Sequence, residues 1–319
     1  MKYRTLGRTG LRVSEIGFGA WAIGGTSYGP TRDEESLEAL ETAFEHGVNF
    51  FDTADTYGHG HSEELIAQFL KGKQGKAIIA TKAGWDFYHG GSKKNFDFDY
   101  IRFACEESLK RLQIETIDLY QLHNPSLAQI ESGALFGLFD ELKQAGKIRF
   151  YGVSVHTPSE ALAAIRSGKI DTLQLIFNLL DQRPIEIVFP EAEARKVGLI
   201  VRQPYACGLL TGKYTEESTF HKMDHRNRWV RDRMALDLKK FERFKSEFPL
   251  AHITPPRAAL EFILSFEQVG VVIPGAKTKS QVLENLLASE DPTLRAQELG
   301  LLRRIYEEDP LFKTNFFRE

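Results

Sequence analysis

Three absences narrow the sequence before any motif is considered. Only two cysteines occur in 319 residues, Cys105 and Cys207, too few for a disulfide framework and without the spacing of a metal knuckle. Each reads as a small buried hydrophobe, and so low a count suits a reducing cytoplasm. No stretch of eighteen apolar residues occurs, and the opening MKYRTLGRTG has no signal-peptide core, so neither membrane spanning nor secretion is expected. With a net charge of −3 and no basic block, nucleic acid and anionic membrane are poor partners.

Also missing are a Pro/Ser-rich linker, a low-complexity tract and any shift of composition along the chain. Hydrophobic residues make up 42% and charged residues 27%, ordinary usage for a chain with a full core. Residues 1–319 are therefore read as a single domain. What fills that length is a repeat. Eight β-rich runs, at 16–19, 48–51, 77–80, 117–122, 149–153, 172–176, 199–201 and 270–273, alternate with helical patterns. Several runs are continuously apolar, as strands covered on both faces should be. The helices are amphipathic: Leu37, Leu40 and Phe44 share one face, as do Leu135, Leu138, Phe139 and Leu142. Thr31 and Glu34 have capping-box spacing before the first helix, and Gly47 stands where a helix-ending glycine belongs. The expectation is an α/β fold, a (β/α)8 TIM barrel, with residues 2–14 forming a β-hairpin cap at one end. Residues 205–233 read as a long polar connection and 294–309 as an extra C-terminal helix.

Polar side chains stand where the apolar runs finish: Asp52, Lys82, His123 and Ser154, then Gln174 with Asn178 nearby. In a barrel of this kind the carboxyl ends of the strands form the active-site face, so five consecutive strands aim polar groups at one mouth. Two familiar nucleotide-binding signatures are absent. The early glycines, Gly17-Phe18-Gly19-Ala20, lack the third glycine of a dinucleotide fingerprint. Residues 208–214, GLLTGKY, are one residue short of a phosphate P-loop and carry no Ser or Thr after Lys213.

Asp52, Tyr57, Lys82 and His123 match, in order and context, the Asp-Tyr-Lys-His tetrad of the aldo-keto reductase family. The chain resembles that family, and its bacterial branches most, over nearly its whole length. The likeness runs through GVNFFDTADTYGHGHSEELI, IIATKAG, ESLKRLQIETIDLYQLHNP, GKIRFYGVS, GLLTGKY and VIPGAKTKSQVLEN. The resemblance implies an NADP(H)-dependent oxidoreductase that reversibly reduces an aldehyde or ketone to an alcohol, sugar and polyol carbonyls falling within that class. Physical chemistry gives the tetrad its logic. A tyrosine hydroxyl, with an ordinary pKa near 10, needs a stabilised conjugate base to donate a proton at neutral pH. An ammonium such as Lys82 supplies that, and a carboxylate such as Asp52 keeps the lysine charged. His123 would orient the carbonyl while Tyr57 protonates the developing oxyanion.

By the same resemblance Ser154 and Gln174 would hold the nicotinamide carboxamide, with Asp52 and Trp21 also among the cofactor contacts. Gly208, Leu210, Gly212 and Lys213 would follow the pyrophosphate. Gly275, Lys277, Thr278, Gln281, Glu284 and Asn285 match the adenosine and 2′-phosphate site. Thr278 and Gln281 have capping-box spacing of their own, but Lys277 and Lys279 do not need to be basic for that purpose. A cation at a helix N-terminus is out of place unless an anion binds there, which favours NADP over NAD. The chain departs from the family at Val155, where Asn is common, and at Arg202, where an aromatic stacks on the nicotinamide; a planar guanidinium can stack too.

Trp21, Trp85 and Tyr88, together with His123, are expected to line the pocket for a small-molecule carbonyl or alcohol. His59 and His61, and His221 with His225, read as solvated loop histidines rather than metal ligands, since no carboxylates complete a site. Two rival functions remain at this level. One is a Schiff-base aldolase using Lys82; the other is a nicotinamide-binding redox sensor acting through a protein partner. Oligomeric state is left open.

Overall fold

The computed structural model describes residues 1–229, 231–248, 252–290 and 293–314. The chain opens with an antiparallel pair, β1 (Tyr3–Thr5) and β2 (Arg12–Ser14). Three parallel strands follow, β3 (Phe18–Gly19), β4 (Phe50–Asp52) and β5 (Ile78–Ala83), and then a small antiparallel pair, β6 (Trp85–Asp86) and β7 (Lys93–Lys94). The parallel series resumes with β8 (Ile117–His123), β9 (Ile148–Ser154), β10 (Thr172–Ile176), β11 (Gly198–Arg202) and β12 (Val269–Val272). Neighbours pair in the order β3-β4-β5-β8-β9-β10-β11-β12. The two ends of that series meet. Gly17 N donates to Val272 O at 2.8 Å, Val272 N to Glu15 O at 2.9 Å and Gly19 N to Pro274 O at 3.0 Å, so the sheet closes into a (β/α)8 barrel.

Between the strands run α1 (Asp33–Glu45), α2 (His61–Phe69), α3 (Phe98–Leu112), α4 (Leu127–Ser132), α5 (Ala134–Gln144), α6 (Pro158–Arg166), α7 (Pro184–Ala194), α8 (Arg231–Glu247), α9 (Pro255–Leu264) and α10 (Lys279–Leu286). After these, α11 (Ala296–Glu308) lies outside the repeat. Each of the eight apolar runs carries a barrel strand, and the N-terminal hairpin and the additional last helix form as expected. Among the described residues no helix is long and apolar enough to cross a membrane.

Two local features differ from expectation. The first helix begins at Asp33 after Arg32 with no side-chain cap; Thr31 instead donates its hydroxyl to Ile23 O, tying down the preceding loop. Asp33, Glu34 and Glu35 still complement the helix dipole there. Reciprocal caps occur elsewhere, at Ser126 with Gln129 and at Thr157 with Glu160. The connection at 205–233 is not irregular throughout: it contains 3-10 turns at Ala206–Thr211 and His225–Arg228, and α8 begins inside it. Position 230 lies outside the described residues.

Side chains alternate across each strand, and the barrel interior is layered accordingly. Phe50, Ala80, Leu119, Ile200 and Val271 make an apolar lower layer with Leu6 and Val13 of the hairpin. Two positions further along the same strands stand Asp52, Lys82, Gln121 and Arg202. The hairpin is the floor of the barrel. Leu6 is fully buried, and two strand positions are kept small to admit it: a Cβ at Gly198 would meet Leu6 Cγ at 2.8 Å, and one at Gly270 would meet Leu6 Cδ1 at 2.7 Å. Arg4 donates to the carbonyls of Leu264, Phe266 and Val269, and Arg8 to those of Gly168 and Ile170.

Leu6→Ala is expected to cost about 2–5 kcal/mol through the cavity left, and Gly270→Ala about 1–3 kcal/mol through overpacking. Because both act on one contact, the double variant should lose clearly less than the sum in denaturant titrations. Simple additivity would show that Leu6 does not fill the space above Gly270.

Candidate active site

The mouth is assembled from strand ends. Asp52 closes β4, and Lys82 stands near the end of β5; they are 2% and 0% exposed. Lys82 Nζ donates to Asp52 Oδ1 at 2.5 Å and to Thr53 O at 2.7 Å, and reaches Tyr57 Oη at 3.5 Å. The last distance is the outer limit of a hydrogen bond, so the ammonium acts on the phenol chiefly through charge. It also lies 5.1 Å from the centre of the tyrosine ring. Tyr57 sits on the tight turn after β4, where Gly58 has φ 63° and its added Cβ would strike Gly24 O at 2.2 Å. That close approach of two loops fixes where the hydroxyl points.

The Tyr57 ring is held between two neighbours. Trp21 lies nearly parallel at 6.0 Å and His123 meets it edge-on at 5.8 Å. The four residues of the tetrad thus converge as the sequence order implied. Burial, opposed by Lys82, leaves the Tyr57 pKa above its ordinary value, so the phenol is protonated at neutral pH. Burial alone would discharge Lys82, but Asp52 and Tyr57 beside it more than compensate and its pKa is raised. For His123 the cause and direction are reversed. Burial, then the cations Lys82 and Arg202, push its pKa well below the usual histidine value, and its Nδ1 has no partner among the described residues. A neutral imidazole can donate one hydrogen bond without carrying charge into the mouth.

The second oxygen of Asp52 is also occupied. Gln174 Nε2 donates to Oδ2 at 2.7 Å and Gln121 Nε2 at 3.3 Å. Because a carboxylate only accepts, the Gln174 amide must turn its nitrogen inward, which sets its oxygen towards Ser154 Oγ, 3.3 Å away. Gln174 therefore spends one donor on the tetrad. Gln121 was not anticipated, although it lies two residues before His123 on β8 and so faces the same side.

Arg202 ends β11. Its Nη2 donates to Val155 O at 2.8 Å and Asn124 Oδ1 at 3.2 Å and lies 3.1 Å from His156 Nδ1. Its Nε is buried without a partner among the described residues. The proposed pocket residues divide. Trp21 borders Tyr57, and Trp85 lies under Lys94, whose Nζ is 5.8 Å from its ring. Tyr88 turns elsewhere, packing on Phe87 and Phe103 with Arg111 over its ring.

On the other side of the mouth, Gly208, Leu210 and Gly212 lie on a kinked stretch in which Cys207, Gly208 and Gly212 have positive φ. Leu210 is core, whereas Gly212 and Lys213 are exposed. Thr278 caps α10 by accepting from Gln281 N, and Gln281 Oε1 accepts from Lys277 N. Tyr205, unforeseen, donates to Asn285 Oδ1 at 2.6 Å, while Glu284 is half-buried and Gly275 bridges Gly19. The two lysines differ from their expected roles in one respect. Lys277 Nζ donates to Tyr28 O at 2.5 Å and is half-buried, whereas Lys279 is exposed and only 3.9 Å from Glu38.

A belt of aromatic residues joins the loop after β3 to the one after β11, again unforeseen. His225 contacts Trp21, Tyr28 and Trp229 and its ring nitrogen lies 2.8 Å from Ser27 O. Arg226, paired to Asp224 at 2.7 Å, lies over Tyr28, Tyr214 and Phe220. The other three histidines weighed as metal ligands have partners of their own: His59 stacks on Phe87, His61 pairs with Asp33, and His221 accepts from Met223 N.

The model of the Aldo/keto reductase family matches residues 15–307. Aldo-keto reductase YhdN of Bacillus subtilis strain 168 is 39% identical over 230 residues, which is 71% of this chain and 69% of that protein. Among solved structures, the holo form of aldo-keto reductase AKR11C1 from Bacillus halodurans superposes with a TM-score of 0.80 at 32% identity, covering 96% of each chain. The glycerol dehydrogenase AKR11B4 from Gluconobacter oxydans gives 0.76 at 28% identity over 94% of each.

His123 is expected to stay neutral through the range, around pH 6.5, where an ordinary histidine titrates, and to protonate only at markedly lower pH. Nitrogen-15 spectra of the imidazole recorded across a pH series check this. An inflection at the ordinary value would mean that neither burial nor the charges of Lys82 and Arg202 act on the ring.

Proposed function

The chain belongs to the aldo/keto reductase family of oxidoreductases, and on that premise we propose that it uses NADP(H) to reduce an aldehyde or ketone reversibly to an alcohol, with Tyr57 as the proton donor. The observation that carries this reading is Lys82 Nζ set between Asp52 Oδ1 and Tyr57 Oη, 2.5 and 3.5 Å away, with His123 edge-on to the same ring. Residues 1–319 are taken as one functional unit, because contributing side chains run from Trp21 to Asn285.

A bound nicotinamide would supply the hydride for the carbonyl carbon; the remaining work belongs to the chain. Tyr57 gives its hydroxyl proton to the carbonyl oxygen as negative charge develops there, and Lys82 stabilises the phenolate left behind. In the alcohol-oxidising direction the same phenolate takes the proton back. Asp52 keeps Lys82 charged and in place, and neutral His123 orients the carbonyl by a hydrogen bond. Ser154 Oγ and Gln174 Oε1, turned away from Asp52, suit the donor and acceptor of a carboxamide. The exposed Lys279 at the start of α10, rather than the tethered Lys277, is the better cation for a 2′-phosphate. Lys277 would instead hold the Tyr28 loop in place. A polyol or sugar carbonyl as substrate draws support from the glycerol dehydrogenase among the similar structures.

The Schiff-base alternative needs an uncharged lysine amine, whereas Lys82 is fully buried against a carboxylate that favours its charged form. That chemistry and the proton relay cannot both be served by one nitrogen.

NADPH consumption followed with a panel of aldehydes, ketones and sugars tests the reading. Tyr57→Phe should lower turnover roughly a hundred- to ten-thousand-fold while NADPH binding persists. Unchanged turnover would remove Tyr57 from the reaction, and NADPH binding without turnover on any carbonyl would favour a redox sensor. Lys279→Glu should weaken NADPH binding about ten-fold and leave NADH binding nearly unaltered; equal effects on both would place the 2′-phosphate elsewhere.

A further inference from the structure

We infer that Arg202 makes the mouth discriminate between the redox states of its cofactor, holding the reduced nicotinamide in preference to the oxidised one; this rests on the cofactor reading above. The hydrogen-bonding partners of Arg202 are all uncharged: Val155 O, Asn124 Oδ1 and His156 Nδ1. Burial first, and then Arg202 itself, hold the His156 pKa down to about 3, so that imidazole is neutral too. Glu160, whose charge reaches Arg202 from a distance, has its Oε2 engaged by the backbone N–H groups of His156 and Thr157 and not by the guanidinium.

Charge in the mouth can then be summed. Lys82 and Asp52 cancel, while Tyr57 and His123 are neutral. Arg202 is left as a cation that bonds to no carboxylate among the described residues, Asp52 and Glu160 acting on it only at a distance, and its buried Nε meets no acceptor there. Lys94 at the rim, bonded to Asn124 O, adds charge of the same sign. Such an arrangement is costly unless something gains from it.

The placement of Arg202 says what gains. Strand β11 is the paired neighbour of β10, with Ile176 opposite Arg202 and Gln174 opposite Ile200. A ring whose carboxamide is held by Gln174 lies within about one strand spacing, roughly 5 Å, of the strand that carries Arg202. The oxidised nicotinamide ring is cationic and the reduced ring neutral, the rest of the cofactor being the same in both. A fixed guanidinium at that range therefore acts on the difference between the two forms. Even under the strong screening of a partly wet site, its effect is on the order of ten-fold or more in relative affinity.

The functional consequence is directional. Spent cofactor leaves more readily than fresh cofactor, and release often limits turnover. The same discrimination makes the bound couple less strongly reducing, so the gain in release is taken from the chemical step. A carbonyl reductase that must work against accumulated oxidised cofactor benefits from that exchange.

Dissociation constants for NADPH and NADP+, measured separately by calorimetry on the native protein, Arg202→Lys and Arg202→Met, test the inference. The native protein should hold NADPH at least about ten-fold tighter than NADP+. Arg202→Lys should keep most of that ratio, and Arg202→Met should shrink it about ten-fold, mainly by tightening NADP+. An unchanged ratio in Arg202→Met, with both forms still bound, would overturn the role of Arg202 and leave the reductase reading intact. Equal loss in Arg202→Lys and Arg202→Met would also overturn it, since packing and not charge would then be responsible. Failure of the native protein to bind either form would overturn this inference and the cofactor reading together.

Discussion

The buried ion pair of Lys82 and Asp52 is the constraint on which the upper half of the barrel depends. Two charges withdrawn from water lose several kcal/mol of hydration each, and their attraction recovers it only if the remaining hydrogen-bonding capacity is met. Here it is met by four elements at once: β4 and β5 supply the pair, β8 and β10 bring Gln121 and Gln174 to the second carboxylate oxygen, and Thr53 O takes another lysine proton. Removing any one strand end would leave a buried charge short of partners. The pair therefore enforces the register of half the barrel, and that register places Tyr57.

That arrangement works because the layer beneath it is dry. Phe50, Ala80, Leu119 and Ile200 are fully buried and stand two residues before Asp52, Lys82, Gln121 and Arg202. Lower dielectric below strengthens the field of the pair above, which is what a phenol must feel if a lysine 3.5 Å away is to stabilise its anion. Loop contacts complete the enclosure. The Tyr28 loop is fixed by His225 from one side and by Lys277 from the other, so Trp21 is presented to Tyr57 from a braced position.

Much of this was legible in the chain because it rests on local patterns. The barrel strands are short apolar runs, and polar residues at their ends stand out against them; Asp52, Lys82, His123, Ser154 and Gln174 were readable for that reason. Gln121 was readable by the same alternation yet stands inside a run, where a single polar residue looks like an interruption. Other features depend on partners far away in sequence. The charge of Lys277 was readable, but its acceptor in the structure, Tyr28 O, was not, being 249 positions distant. Thr31 and Glu34 have the spacing of a cap, but Ile23 O competes for the hydroxyl and the helix starts one residue beyond Arg32. Tyr88 sits beside the right strand, and the β6–β7 pair, too short and polar to show a period, turns it towards Phe103 and Arg111.

Stability and chemistry are separated along the barrel axis. The basic residues that support the lower end, Arg4 and Arg8, bind backbone carbonyls, and Leu6 fills the floor between Gly198 and Gly270. None of these touches the mouth. At the upper end the cations do the opposite: Arg202 has only neutral acceptors, and Lys82 is charged where burial alone would discharge it. Such groups weaken a fold and are tolerated where the rest of the structure is strong enough to bear them. A floor braced through the backbone lets the mouth keep a guanidinium without a bonded carboxylate and a phenol of raised pKa within one ring of strands, which is where the proposed carbonyl reduction, passing through a developing oxyanion, would require them.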